Sequence, residues 1–152
     1  MIKVVLASVL ILGAIALKGI VNLALGDMLL SMAAPVLLFY KLLGNRPHFL
    51  MYVGFAAGLL GGAAFLWGYI AIPLQYYYSV WGWWGVLAGV VATLLFPVQI
   101  LLFLGVAFVK GGAWLYVGKF ITELLFAVAG ALLFASSTSA SPWARFRWRP
   151  HV

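Results

Sequence analysis

The chain has 152 residues, 67% of them hydrophobic and 7% charged, with a formal net charge of +7 and a mean hydropathy of +1.19. A soluble domain carries about 45–50% apolar and about 25% charged residues, and a chain this short has no core large enough to hide the excess. Intrinsic disorder needs the opposite composition. The expected class is an all-α integral membrane protein, a small polytopic bundle of about four transmembrane helices.

The first forty residues allow three readings. In the preferred one a helix runs from about Ile2 to Leu25, Gly26–Asp27 forms a turn with Asp27 as N-cap, and Met28–Tyr40 is a short or re-entrant helix. In the second, Val4–Leu17 is a short span and Gly19–Tyr40 another, with Asp27 near mid-depth. The third is a cleaved signal peptide, with Lys3 as n-region, Val4–Gly13 as h-region and Ala14-Ile15-Ala16 as cleavage site. Against it, the n-region holds one side-chain charge and apolar sequence resumes after Lys18.

Three later stretches reach the roughly 20 apolar residues that a span needs. Phe49–Leu74 ends at Pro73, where a helix can stop, and Gln75–Ser79 reads as a loop. Val80–Val109 contains Pro97 and is expected to be kinked or broken, with Gln99 satisfying the carbonyl that the proline frees. Trp114–Ala135 follows the Lys110-Gly111-Gly112 loop and is interrupted by Lys119 and Glu123. The clearest loop is Lys41–His48, with Gly44, Asn45 and Pro47. Residues 1–135 are read as a transmembrane helical domain and 136–152 as a basic, aromatic tail.

The chemistry available is narrow. There is no Cys, the two histidines (His48 and His151) flank Arg-bearing segments, and Asp27 and Glu123 are the only acids. No phosphate-binding GxxxxGK[ST] pattern occurs. No enzyme activity, cofactor or metal is expected. The basic residues sit at the ends of apolar stretches and in the tail, so the expected partner is a bilayer with anionic headgroups, not nucleic acid. The tail's Trp143, Arg145, Arg147, Trp148 and Arg149 are read as a lipid headgroup anchor. By the positive-inside rule the tail is cytoplasmic, and alternating spans leave four basic side chains inside against three outside, which decides little.

Three features are candidates for function. Gly54, Gly58 and Gly62, then Gly85 and Gly89, recur every four residues and are expected to pack helices closely, within the chain or against a homo-oligomer or membrane-complex partner. Trp67, Tyr69, Tyr76, Tyr77, Tyr78, Trp81, Trp83 and Trp84 read as an interfacial belt. Lys18, Asp27, Lys119 and Glu123 are ionisable groups inside apolar sequence, each costing about 2.5–3.5 kcal/mol at a bilayer centre unless paired. Glu123 is expected to face the bundle interior and to meet Lys119 or Lys18. The first functional expectation is an accessory or scaffold subunit, or a self-associating bundle, in a bacterial inner membrane. The alternative is a small ion or solute transporter or channel using Glu123, with Asp27 as a second candidate.

Overall fold

A computed structural model describes residues 1–19, 23–43, 48–110 and 114–138. Among these residues the chain is all-helical, with no strand: α1 (Ile2–Lys18), α2 (Leu25–Leu42), α3 (Phe49–Trp81), α4 (Trp83–Thr93), α5 (Val98–Lys110) and α6 (Trp114–Thr138). Three of them, α2, α3 and α6, are long and apolar enough to cross a membrane.

Several boundaries differ from the sequence reading, each for a local reason. The first helix stops at Lys18, not Leu25, because Gly19 takes φ 77° and closes the last turn with its N–H on Ile15 O. The second helix starts at Leu25 and runs for 18 residues, so Met28–Tyr40 is the middle of a long helix and not a short one. Asp27 lies in its first turn rather than at its centre or at the N-cap position. The third helix does not stop at Pro73. A π-helical segment at Trp67–Ala71 takes up the strain just before the proline, and the helix continues through Gln75–Ser79 to Gly82, whose φ of 61° permits the reversal. Val80–Val109 is then not one span. It is two helices of 11 and 13 residues, α4 and α5, broken across Leu94–Pro97. The last helix begins at Trp114 and runs past Ala135 to Thr138.

The last helix is the centre of the fold. It packs chiefly against α3 and α1, and runs antiparallel to α3 in a repeating register. Gly54 faces Ser137, Gly61 faces Gly130 and Gly68 faces Glu123, so each step of seven on α3 meets a step of seven on α6. At Gly61 and Gly130 backbone meets backbone: a Cβ added at Gly61 would lie 2.9 Å from Gly130 Cα. This pattern revises the expected glycine faces. Gly54 and Gly58 do meet α6, and Gly85 and Gly89 abut Tyr77, but a Cβ at Gly62 would have open space.

Two apolar cores result. One joins α1, α2, α6 and the first part of α3 through Val4, Ile11, Leu30, Leu37, Phe126 and Leu133. Its far end is tied by Lys41, whose Nζ donates to the Ser136 carbonyl and hydroxyl. The other joins α5 and the end of α3 to the start of α6 through Ile72, Tyr76, Tyr77, Phe103 and Phe120. The helix pair α4–α5 folds as a hairpin along α3. Tyr69 OH donates to Thr93 O at 3.2 Å, and the Phe96 ring lies 5.3 Å from that of Tyr69, so the hairpin tip sits beside the π-helical segment.

The expected aromatic belt is therefore divided. Tyr69, Tyr76 and Tyr77 are core residues, because they fall on the α3 face that α4, α5 and α6 cover. Trp67, Tyr78, Trp81, Trp83 and Trp84 stay exposed. Gln99 is fully buried with neither amide atom hydrogen-bonded, so it does not satisfy the carbonyl assigned to it.

Candidate functional site

Three of the four ionisable residues singled out above meet at the joint between the two cores. Lys18 Nζ donates to Asp27 Oδ2 at 2.6 Å and to Glu123 Oε1 at 2.7 Å. Each side chain reaches the site by simple local rules. Lys18 ends α1, where the helix dipole favours a cation, and Asp27 opens α2, where it favours an anion. The Asp27 carboxylate also accepts the Ala24 N–H at 3.0 Å, which fixes the start of α2. Both groups lie across one reversal of the chain, so α1 and α2 present an ammonium and a carboxylate at the same end.

Glu123 comes from the opposite direction, near the middle of α6. At about 1.5 Å per residue it lies about 13 Å from Trp114 and about 22 Å from Thr138. In the α3–α6 register its level is shared by a glycine, and the two lower levels hold only glycine or serine. The missing Cβ of Gly68 is what admits it: one added there would stand 2.8 Å from Glu123 Cβ. Gly68 itself belongs to the π-helical segment. Gly68→Ala is accordingly expected to destabilise the fold by about 1–3 kcal/mol and to part Glu123 from Lys18. Thermal unfolding in detergent, compared with that of Gly62→Ala, checks this expectation.

Both carboxylates are almost fully buried, Asp27 at 5% exposure and Glu123 at 6%. One ammonium therefore serves two acids in apolar surroundings, and the group carries a formal charge of −1 with all three ionised. Phe126, one turn below Glu123, is its floor, with its ring centre 6.0 Å from Lys18 Nζ. Above the group opens a crevice of about 730 Å³. Lys18, Thr122 and Glu123 lie at its foot, Gln75 and Lys119 line it further up, and Trp67 and Trp114 form its walls.

Lys119 does not pair with Glu123. Its ammonium lies 5.7 Å from the Tyr116 ring, because helical side chains lean toward the N-terminus and carry it away from the turn below. Sequence reasoning overlooked Gly61, Gly68 and Gly130, and with them Gln75 and Thr122 in the crevice. The available signal was the step of seven shared by Gly54, Gly61, Gly68 and by Glu123, Gly130, Ser137. The tail residues Trp143, Arg145, Arg147, Trp148 and Arg149 lie outside the described residues, as do Gly111 and Gly112 of the expected loop. Among the described residues no group of three or more His, Cys, Asp and Glu side chains could hold a metal ion.

Comparison of the chain with protein-family models, with curated proteins and with solved structures gives no match.

Proposed function

We propose that this is a multi-pass protein of a bacterial inner membrane that takes up and releases a proton or small cation at Lys18, Asp27 and Glu123, as a small transporter or channel. No enzyme activity is part of this reading. The membrane setting draws support from the outward faces: Leu12, Leu59, Val91 and Phe108 are each more than half exposed, on four different helices. Among the described residues Lys41 stands beside Ser136, near where the Arg-bearing tail leaves α6, while Lys110 ends α5 at the other end of the fold. Strict alternation of the expected spans places Lys41 on the side opposite the tail. With Lys41 on the tail's side the basic residues are more one-sided, which supports a cytoplasmic tail and a crevice opening outward.

The observation that carries the functional reading is the second carboxylate. A structural ion pair needs one acid for one ammonium. Removing two carboxylates from water for a single cation leaves a charge that costs several kcal/mol, and a proton or cation arriving through the crevice would offset it. In proteoliposomes under an imposed pH gradient, Glu123→Gln is expected to lower flux at least tenfold while insertion is unchanged. Flux equal to that of the parent protein would remove the relay.

A second reading, the accessory subunit or self-associating bundle, has one observation in its favour. An apolar groove of about 540 Å³ runs between α3 and α6 beside Phe55, Gly58, Gly62 and Phe134. A single, defined oligomer or heteromeric complex in mild detergent, together with wild-type flux for Glu123→Gln, would support that reading instead.

A further inference from the structure

We infer that the charged group is reached by water from one side only, through the crevice at the Trp114 end, and that Glu123 rather than Asp27 is the carboxylate that exchanges protons with it. This inference rests on the functional reading above and adds the route and the exchanging atom. The route follows from what lies on each side. Toward Trp114 the crevice descends past Lys119, Gln75 and Thr122 to Glu123. Toward Ser136 the next layers are Phe126, Ala129 and Leu133, all at zero exposure, faced by Leu30 and Leu37 at 1%. At about 1.5 Å per residue, the ten residues from Glu123 to Leu133 make a dry barrier about 15 Å thick. The buried side chains of that layer are all apolar, so they offer water no partners.

The exchanging atom follows from the hydrogen bonds. Asp27 does not line the crevice, and its Oδ2 is held by Lys18 and by the Ala24 N–H. Glu123 lines the crevice and gives Oε1 to Lys18, while its Oε2 accepts no hydrogen bond among the described residues. In this conformation the proton therefore adds to Glu123 Oε2 from crevice water, and its release on the other face needs a second conformation that opens the Phe126–Leu133 layer. The Lys18–Asp27 contact stays in place as the positioning pair. The groups facing Glu123 are Lys18 from α1, Asp27 from α2 and the bare Gly68 backbone from α3, with Lys119 one turn up its own helix. A small metal ion fits less well, because the seat between the two acids is filled by the ammonium.

The chain contains no cysteine, so single cysteines report access cleanly. Gly118→Cys lines the crevice where an added Cβ meets nothing within 4 Å, and Leu115→Cys stands near the mouth. Ala129→Cys lies in the dry layer, and Lys3→Cys marks the opposite end. In sealed vesicles, a membrane-impermeant maleimide is expected to label the first two from one face only, the face opposite to the one that labels Lys3→Cys. Ala129→Cys is expected to be labelled far more slowly than either, from both faces, until the protein is denatured. Labelling of Gly118→Cys from the Lys3 face, from both faces or from neither would overturn the one-sided route, as would rapid labelling of Ala129→Cys.

Infrared difference spectra tell the two acids apart. A protonated-carboxyl band that titrates with pH should vanish in Glu123→Gln and persist in Asp27→Asn, and the reverse would assign the exchange to the wrong acid. One-sided labelling together with undiminished flux in Glu123→Gln would retain the route and defeat the transport reading alone.

Discussion

Lys18→Met is expected to destabilise the protein by about 3–5 kcal/mol, the cost of leaving buried charge without its partner. The side chain is modest in size and its loss opens little volume. The effect comes from what remains, two carboxylates at 5% and 6% exposure that had shared one ammonium at 2.6 and 2.7 Å. Their mutual repulsion acts on the two elements that Lys18 holds together, the start of α2 and the middle of α6. Adding Glu123→Gln should recover a large part of the loss, because the surviving Asp27 keeps its hydrogen bond from the Ala24 N–H. A coupling energy of about 0.5–3 kcal/mol between the two substitutions is the expected outcome of the cycle. Lys119→Met is the contrast. Its ammonium is exposed and meets a ring face, so a change within about 0.5 kcal/mol is expected. Equilibrium unfolding in mixed micelles measures the parent, the two single variants and the double variant of the cycle, and Lys119→Met. A Lys18→Met variant within about 1 kcal/mol of the parent would mean that the two acids are not held as buried charges.

The sequence exposed the ingredients of this site more readily than their assembly. Composition alone marks every ionisable residue in an apolar stretch as expensive, and the sequence allows Glu123 to meet either Lys18 or Lys119. Spacing on one helix made Lys119 an equal candidate, since residues four apart share a face. What separates the two is the lean of helical side chains, which carries Lys119 toward Tyr116. The break at Lys18 was less visible, because one glycine in an apolar run does not by itself end a helix. Here the end is supported by a partner 105 residues away in the chain, which no local pattern contains. The run from Val80 to Val109 misled for a related reason. Its length matched a span and its proline warned of a kink, but hydropathy is blind to direction. A chain that turns back at Leu94–Pro97 and repacks on α3 has the same composition as one that goes straight through.

The glycines show where spacing of four is a poor guide to register, and they carry the second large expected effect. Gly130→Val should destabilise the fold by at least about 3 kcal/mol, and Gly130→Ala by about 1–3 kcal/mol. A Cβ at Gly130 would lie 2.6 Å from Ala57 O and 2.7 Å from Gly61 Cα. Both are backbone atoms, so no side chain can rotate to make room, and the only relief is to move α3 away from α6. Separation at that level also moves Gly68 from Glu123, one step of seven along the same interface, so the Lys18 contact should loosen along with the packing. Gly62→Ala is the informative control. It removes a glycine from the four-residue pattern, yet its Cβ meets nothing within 4 Å. Alanine is favoured over glycine in a helix by up to about 1 kcal/mol, so this change should be neutral or stabilising. Gly130→Ala is thus expected to lower the unfolding midpoint, and Gly62→Ala to leave it unchanged or raise it. A greater loss from Gly62→Ala than from Gly130→Ala would place the α3–α6 interface on the wrong face of α3, and Glu123 could no longer stand opposite Gly68.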